Sequence, residues 1–184
     1  RLPATIRATS LIKDVVSQAH VVVVAVPSFA VREVLDKAVP YMRKDCVMAT
    51  ISKGLDPKTL EPVIMEEKTY LPRHLRVRLC ALGGPAIATE MAKGTPTAFV
   101  VAGTDAKSRK LLSDILTSEK VKAAQSDDLK GVGLGAALKN AYAIALGLCD
   151  GLQYPTNAKA MVVTLAVSEM AGISSVTALR DPLA

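Results

Sequence analysis

The feature that most constrains the fold is a series of short, uninterrupted apolar runs that alternate with segments of helical periodicity. The first run covers residues 21–26 and is rich in valine; Pro27-Ser28 ends it, and helical spacing follows over residues 29–39. Continuous β-branched runs of this length are typical of strands that are covered on both faces of a parallel sheet. The run therefore predicts a buried strand followed by a helix.

The same alternation continues along the first two thirds of the chain. Further strands are predicted at residues 46–51, 77–82, 98–102 and 121–124, and further helices at 11–19, 60–67, 86–93 and 105–116. Strands alternating with helices at this spacing predict an α/β fold with a mostly parallel sheet and right-handed crossovers.

The pattern changes after Ser126. Two long helical segments, near residues 129–152 and 157–170, follow with no strand between them. We therefore predict an α/β domain over residues 1–126 and the start of an all-α domain over residues 127–184.

Composition excludes several classes of protein. Half of the residues are apolar and 22% are charged, which excludes a disordered chain, and an aromatic content of 3% without Trp argues against an aromatic platform for single-stranded nucleic acid. The net charge of +6 is spread along the chain, and its densest group, Arg73, Arg76 and Arg78, has no interleaved aromatics. We expect no nucleic-acid partner; a phosphorylated small molecule would use one or two of these cations.

The cysteines and histidines indicate neither a disulfide framework nor a metal site. Cys46, Cys80 and Cys149 are far apart, and His20 and His74 have no ligand partner at metal spacing. We therefore expect three buried thiols, as in a reducing compartment, and no bound metal. Residues 1–10 contain no apolar signal segment, and we expect a cytoplasmic protein.

Three of the predicted strand ends carry residues suited to ligand binding. They are Pro27-Ser28, Ser52-Lys53-Gly54 and Gly83-Gly84-Pro85. Ligands of open α/β sheets bind outside the carboxyl ends of the strands, so these residues should share one edge of the sheet. Lys53 is either a ligand-facing cation or an exposed loop lysine, and the glycine turn is either an anion site or an ordinary strand-to-helix connection.

The segment 131–150 is a nearly continuous helix of small and apolar residues, interrupted by Lys139-Asn140. A desolvated lysine with a lowered pKa is a candidate general base. A core helix whose lysine reaches the surface is the alternative, and a membrane span is disfavoured because Lys139 would lie near the bilayer centre. Gly131-x-Gly133-x-x-Ala136 matches a dinucleotide-binding pattern, but we reject it because Ser126-Asp-Asp-Leu-Lys stands immediately before it and another helix, rather than a strand, follows its helix.

Taken in order, these segments resemble the NAD(P)-dependent glycerol-3-phosphate dehydrogenases. The matching stretches are Val24-Ala-Val-Pro-Ser28, Ile51-Ser-Lys-Gly-Leu55, Gly84-Pro85 with Glu90-Met-Ala-Lys-Gly-Thr-Pro-Thr-Ala98, Gly131-Val-Gly-Leu-Gly-Ala-Ala-Leu-Lys-Asn140, Cys149-Asp-Gly-Leu152, Asn157-Ala-Lys-Ala160 and Ser168-Glu-Met170. The leucine-lysine-asparagine element on a Gly/Ala-rich helix is the most specific of them.

The resemblance implies an oxidoreductase that interconverts sn-glycerol 3-phosphate and dihydroxyacetone phosphate with NAD or NADP, in glycerophospholipid precursor synthesis. It implies a Rossmann-type first domain and a homodimer formed through the helical domain. Lys139 corresponds to the catalytic base, and substrate contacts correspond to Lys53, Gly84, Ala86, Lys139 and Asn140. Cofactor contacts correspond to Pro27, Ser28, Lys53 and Ala88.

The sequence also departs from the pattern of the family it resembles. Ala86 and Ile87 stand where a serine and a phenylalanine are usual, and Leu165 stands where an arginine is usual. The resemblance further implies that the chain begins after the first βα units and ends before a catalytic aspartate, so these 184 residues alone should bind the cofactor weakly. Two alternatives follow: a related dehydrogenase for another hydroxy acid or phosphate, and a non-catalytic metabolite-binding homologue.

Overall fold

The computed structural model describes residues 3–179, and their side chains as far as residue 173. Five strands form one sheet in the order β1-β2-β3-β4-β5. They are β1 (Val21–Val24), β2 (Val47–Thr50), β3 (Leu79–Gly83), β4 (Thr97–Gly103) and β5 (Val121–Ser126). The sequence prediction of an α/β fold is thereby confirmed.

Eight α-helices connect and follow the strands. They are α1 (Ile12–Val16), α2 (Val31–Ala38), α3 (Val63–Tyr70), α4 (Arg73–Arg76), α5 (Ala88–Ala92), α6 (Ala106–Leu116), α7 (Leu129–Gly151) and α8 (Thr156–Leu179). Short 3₁₀ helices at Ser28–Ala30 and Val39–Tyr41 flank α2. Asp105 and Asp128 cap α6 and α7, because their carboxylates accept hydrogen bonds from the free backbone N–H groups of the first turn.

Two apolar clusters hold the sheet. On one face, Leu35 of α2, Ile64 of α3 and Leu79 of β3 lie in a large core, each at most 2% exposed. A second cluster includes Val101 of β4 and Leu112 of α6. Strands β2 and β3 are buried along their whole length, as continuous apolar runs predict for central strands.

The pairing of β3 with β4 differs from the prediction. Strands β1, β2 and β3 are parallel, and β4 is parallel to β5, but β3 and β4 pair antiparallel, with Ala81 opposite Ala102. The connection between them contains only the five-residue helix α5, which rises about 7.5 Å. Such a helix is too short to return the chain along the sheet, so β4 starts at the edge where β3 ends.

Two burial predictions are wrong in part. Val23, predicted to be covered on both faces, is 50% exposed because β1 is the outer strand of the described sheet. Cys46 and Cys80 are buried, whereas Cys149 is half-buried on α7.

Helices α7 and α8 form an antiparallel pair beyond the sheet. The first turns of α7 dock against the α/β layer: Leu129 and Leu134 are buried, and Cβ atoms built on Gly83 and Gly133 would lie 2.9 Å from Val132 and 2.6 Å from Ile64. Within the described residues, α7 is long and apolar enough to cross a membrane, with only 6% of its most apolar window buried. The core helix of a soluble protein can be equally long and apolar.

Candidate functional site

The carboxyl ends of β1, β2 and β3 meet at one edge of the sheet, as their parallel pairing requires. The Ser52 hydroxyl, just after β2, donates a hydrogen bond of 2.7 Å to the Val26 carbonyl oxygen beyond β1. A Cβ atom on Gly54 would lie 3.4 Å from the Ser28 Oγ atom. The two predicted loops therefore lie in contact, as the sheet-edge argument predicted.

The turn after β3 depends on the backbone freedom of glycine. Gly84 has a φ of +134°, and a Cβ atom there would lie 2.3 Å from the Ala98 carbonyl oxygen. Only glycine allows so close an approach between this turn and β4. The turn consequently directs the Gly84 carbonyl oxygen toward α7.

Lys139 of α7 reaches this turn. Its Nζ atom donates a hydrogen bond of 2.9 Å to the Gly84 carbonyl oxygen. Burial and the neighbouring Lys53 ammonium lower the pKa of Lys139 below its usual value. A lysine whose pKa is lowered in this way is better suited to accept a proton near neutral pH.

A small cavity lies between the β3–β4 edge and α7. Its volume is about 180 Å³, and its lining includes Gly83, Gly84, Gly135, Ala136 and Lys139. A Cβ atom on Gly135 would meet nothing within 4 Å, so the small residues of α7 keep this space open. The Gly/Ala-rich composition that flanks Lys139 thus creates room for a small ligand beside its amine.

The other residues singled out from the sequence differ in their exposure to solvent. Lys53, Ala88 and Asn140 are exposed, whereas Ser28 and Ala86 are half-buried. Pro27 is exposed at the start of the 3₁₀ helix, and Leu165 is 59% exposed on α8. The structure brings Lys53, Gly84 and Lys139 together; Asn140 follows Lys139 on α7 and therefore projects about 100° away around the helix.

Glu67, which no sequence pattern singled out, is connected through Thr50 to the Ser52–Lys53 turn. This side chain of α3 is fully buried, and its Oε1 atom accepts a hydrogen bond of 3.0 Å from the Thr50 hydroxyl at the end of β2. Two successive glutamates on a helix look like a solvated face, so no simple sequence signal identified Glu67.

The site offers two kinds of chemistry. The exposed Lys53 ammonium and the open loops after β1 and β2 can hold an anionic ligand at the sheet edge. The Lys139 amine, held by a main-chain oxygen, can exchange a proton with a hydroxyl group in the adjacent cavity. In the described part of the chain, no group of three His, Cys, Asp or Glu side chains could hold a metal ion.

Comparison with known proteins gives consistent matches. The profile for the N-terminus of NAD-dependent glycerol-3-phosphate dehydrogenase matches residues 1–109, and the profile for its C-terminus matches residues 128–181. A protein of Bacillus subtilis named glycerol-3-phosphate dehydrogenase [NAD(P)+] is 34% identical over 95% of this chain and 51% of its own length. The chain thus spans about half the length of the curated relatives that it matches.

Solved structures show the same fold. The glycerol-3-phosphate dehydrogenase of Coxiella burnetii superimposes with a TM-score of 0.78 and 29% identity, over 95% of this chain and 53% of its own. That of Saccharomyces cerevisiae superimposes with a TM-score of 0.79 at 21% identity, over 95% of this chain and 52% of its own, which bears on the fold alone. Together with the profile matches, these findings establish that the chain belongs to the NAD-dependent glycerol-3-phosphate dehydrogenase family.

Proposed function

We propose that this chain carries the proton-transfer half of a dehydrogenase site that interconverts sn-glycerol 3-phosphate and dihydroxyacetone phosphate with NAD or NADP. The observation that carries the proposal is the Lys139 amine, fixed 2.9 Å from the Gly84 carbonyl oxygen beside the glycine-lined cavity. Family membership supports the reaction class, and this geometry supports Lys139 as the group that handles the proton.

Lys139 is the catalytic residue of the proposal. In the oxidation direction its neutral amine accepts the proton of the C2 hydroxyl, and in the reduction direction its ammonium returns that proton to the developing alkoxide. The lowered pKa increases the neutral fraction that the oxidation direction needs. The hydrogen bond to Gly84 holds the amine at the cavity in both protonation states.

Lys53 and the loops after β1 and β2 form the ligand-binding side of the proposal. We assign the dinucleotide to this sheet edge, because Lys53 offers an unburied cation to a phosphate beside Pro27 and Ser28. The nicotinamide ring, when bound, supplies the hydride acceptor or donor. We assign Ala88 to the cofactor as well, and Gly84, Ala86 and Asn140 to the substrate.

The cellular setting follows from the same assignment. We place the protein in the cytoplasm, in glycerophospholipid precursor synthesis, with no membrane span and no nucleic-acid partner. We also propose a homodimer formed through the helical domain, because α7 and α8 expose several large apolar side chains, among them Ile144 at 68% and Leu148 at 62%. Light scattering of the purified full-length protein measures its mass in solution and tests the dimer.

Replacing Lys139 tests the proposed function. In the full-length protein, Lys139→Ala should lower the turnover of dihydroxyacetone phosphate by about 100-fold or more, because the positioned proton donor is lost. NADH affinity, measured by fluorescence titration, should change by less than threefold. The matched control is Lys110→Ala, which removes an exposed lysine paired with Asp114 on α6 and should leave both quantities unchanged.

Two outcomes would contradict the proposal. If NADH affinity falls by the same factor as turnover in Lys139→Ala, this lysine holds the cofactor rather than the proton. If the unmodified full-length protein binds NADH but reduces no dihydroxyacetone phosphate, the assigned reaction is wrong.

A further inference from the structure

Glu67 is a buried polar group whose position no role described above explains. The side chain is fully buried on α3, and its Oε2 atom has no hydrogen-bond partner within the described structure. Burying a carboxyl group with an unsatisfied oxygen costs stability, and an apolar side chain at this position would avoid that cost. The contacts of Glu67 should therefore show a role that compensates for this loss of stability.

Glu67 is the end of a chain of hydrogen bonds that begins at the site loop. The Ser52 backbone N–H donates to the Thr50 hydroxyl oxygen at 3.2 Å, and that hydroxyl donates its own hydrogen to Glu67 at 3.0 Å. A threonine hydroxyl has a single hydrogen. Because Glu67 fixes the direction of this hydrogen, the lone pairs of the Thr50 oxygen are turned toward the Ser52 N–H.

A second contact from α3 holds the other side of the same turn. The Val63 backbone N–H, one helical turn before Glu67, donates a hydrogen bond of 3.0 Å to the Gly54 carbonyl oxygen. Ser52 in turn bonds through its hydroxyl to Val26 in the neighbouring loop. Lys53 thus lies between two residues that are both anchored, directly or through Thr50, to α3.

We propose that Glu67 is a positioning residue that holds residues 52–54 and therefore keeps Lys53 at the ligand-binding edge. The proposal rests on the proposed function for the role of Lys53, but the anchoring of the turn can be measured separately. Glu67 acts through Thr50 and Ser52 and contacts no ligand itself.

The surroundings of Glu67 favour the neutral form. Burial raises the pKa of Glu67 to about 7, the Thr50 hydrogen bond opposes this rise, and the neighbouring Glu66 carboxylate adds to it. The charged groups of the adjacent helices have other partners: Arg32 of α2 lies over the Tyr70 ring, Lys130 of α7 pairs with Glu61, and Lys139 bonds Gly84.

Ionisation should loosen the turn. The Thr50 hydroxyl would bond a carboxylate more strongly than a carboxylic acid, but the second oxygen would share a buried charge with no hydrogen-bond partner among the described groups. That charge would draw water into the space behind Thr50. The anchoring of residues 52–54 should consequently weaken as the pH rises through neutrality, whereas an amide at position 67 would be insensitive to pH.

The experiment compares Glu67→Gln and Glu67→Leu with the unmodified full-length protein. Glutamine keeps an acceptor for Thr50 without a charge, and leucine fills the space without an acceptor. Glu66→Gln is the matched control, because it neutralises the adjacent carboxylate, which bonds the Tyr70 hydroxyl. Thermal melting checks that all variants are folded.

The first readout is hydrogen exchange of the Ser52 amide, corrected for the intrinsic rate at each pH. We expect protection about tenfold lower in Glu67→Leu and within twofold of the unmodified protein in Glu67→Gln at pH 6. Between pH 6 and pH 8.5, the unmodified protein and Glu66→Gln should lose protection, and Glu67→Gln should not. Equal protection in all four proteins would overturn the positioning role.

The second readout is NADH affinity at pH 6. Glu67→Leu should bind about tenfold more weakly at an unchanged or higher melting temperature, which a purely structural role would not produce. If exchange changes as expected while NADH affinity does not, the turn is anchored by Glu67 but the link to Lys53 is wrong. If the unmodified protein binds no NADH, the proposed function fails, and the exchange data still decide the anchoring.

Discussion

The sheet with its covering helices and the α7–α8 pair use apolar residues in opposite ways. In the sheet region, side chains such as Leu35 at 1% exposure lie in continuous cores, whereas on the helix pair Ile144, Leu148 and Leu152 are 62–69% exposed. Between these regions lies the Gly84–Lys139 hydrogen bond. The sheet region therefore has a core of its own, whereas the helix pair exposes an apolar surface that is available for packing.

The largest effect should come from the turn of the sheet region that bonds Lys139 of the helix pair. Gly84→Ala places a Cβ atom 2.3 Å from a main-chain oxygen at a φ of +134°, so both strain and overpacking apply. We expect the free energy of unfolding in urea to fall by about 4 kcal/mol. Gly135→Ala, in open space on α7, should instead raise it slightly through helix propensity; a small loss at Gly84 would mean that the turn relaxes freely.

The core of the sheet region should be the next most sensitive. Leu35→Ala removes a side chain that is 1% exposed and should cost about 3 kcal/mol of unfolding free energy. Leu148→Ala, at 62% exposure, should change it by less than about 0.5 kcal/mol in the monomer. Similar losses at the two positions would show that a partner already covers α7 in solution.

Stability should also depend on pH through the sheet region. The pKa of Glu67 is about 7 in the folded protein, above its ordinary value of 4.5, so the folded state holds the proton more tightly. Its stability is therefore greatest below the ordinary pKa and falls as the pH rises through about 7, by roughly 2 kcal/mol. Urea titrations at pH 5 and pH 8 measure this loss of unfolding free energy. Because glutamine does not titrate, Glu67→Gln should show a difference between the two pH values that is smaller by about the same amount.

The smallest effect is expected within the helix pair. Lys159 of α8 and Asp150 of α7 form an ion pair at 2.8 Å in which Asp150 is 66% exposed. Asp150→Asn should lower the melting temperature by about 1–2 °C or less, because exposed pairs contribute little to stability. A drop comparable with that of Leu35→Ala would mean that the pair is buried in an assembly.

Much of the sheet region could be read from the sequence, for definite physical reasons. Continuous apolar runs located β2 and β3, and the rule for parallel strand ends placed Ser28, Lys53 and Gly84 at one edge. The direction of β4 could not be predicted from hydrophobic periodicity, because periodicity indicates that a strand exists and not which way it runs. The direction depends on the length of α5, which has only five residues in the structure.

The candidate site divides in the same way. Lys139 stood out because a lone cation interrupts an apolar helix, and the family resemblance gave it a role. Glu67 could not be found, because its burial results from packing between β2 and α3 rather than from a pattern in its own helix. The assignment of Ala86, Ala88 and Asn140 to ligands stays a prediction.

The partner of Lys139 is a peptide carbonyl, which every amino acid supplies. The orientation of the amine therefore does not depend on which side chains occupy positions 86 and 87, provided that position 84 stays glycine. Ligand fit and the position of the amine are thus separate properties. Substitutions at positions 86 and 87 can alter which molecules fit, while Lys139 keeps its hydrogen bond to the Gly84 carbonyl oxygen. Ala86 and Ile87, which depart from the residues expected from the resemblance, are substitutions of the kind that such an arrangement tolerates.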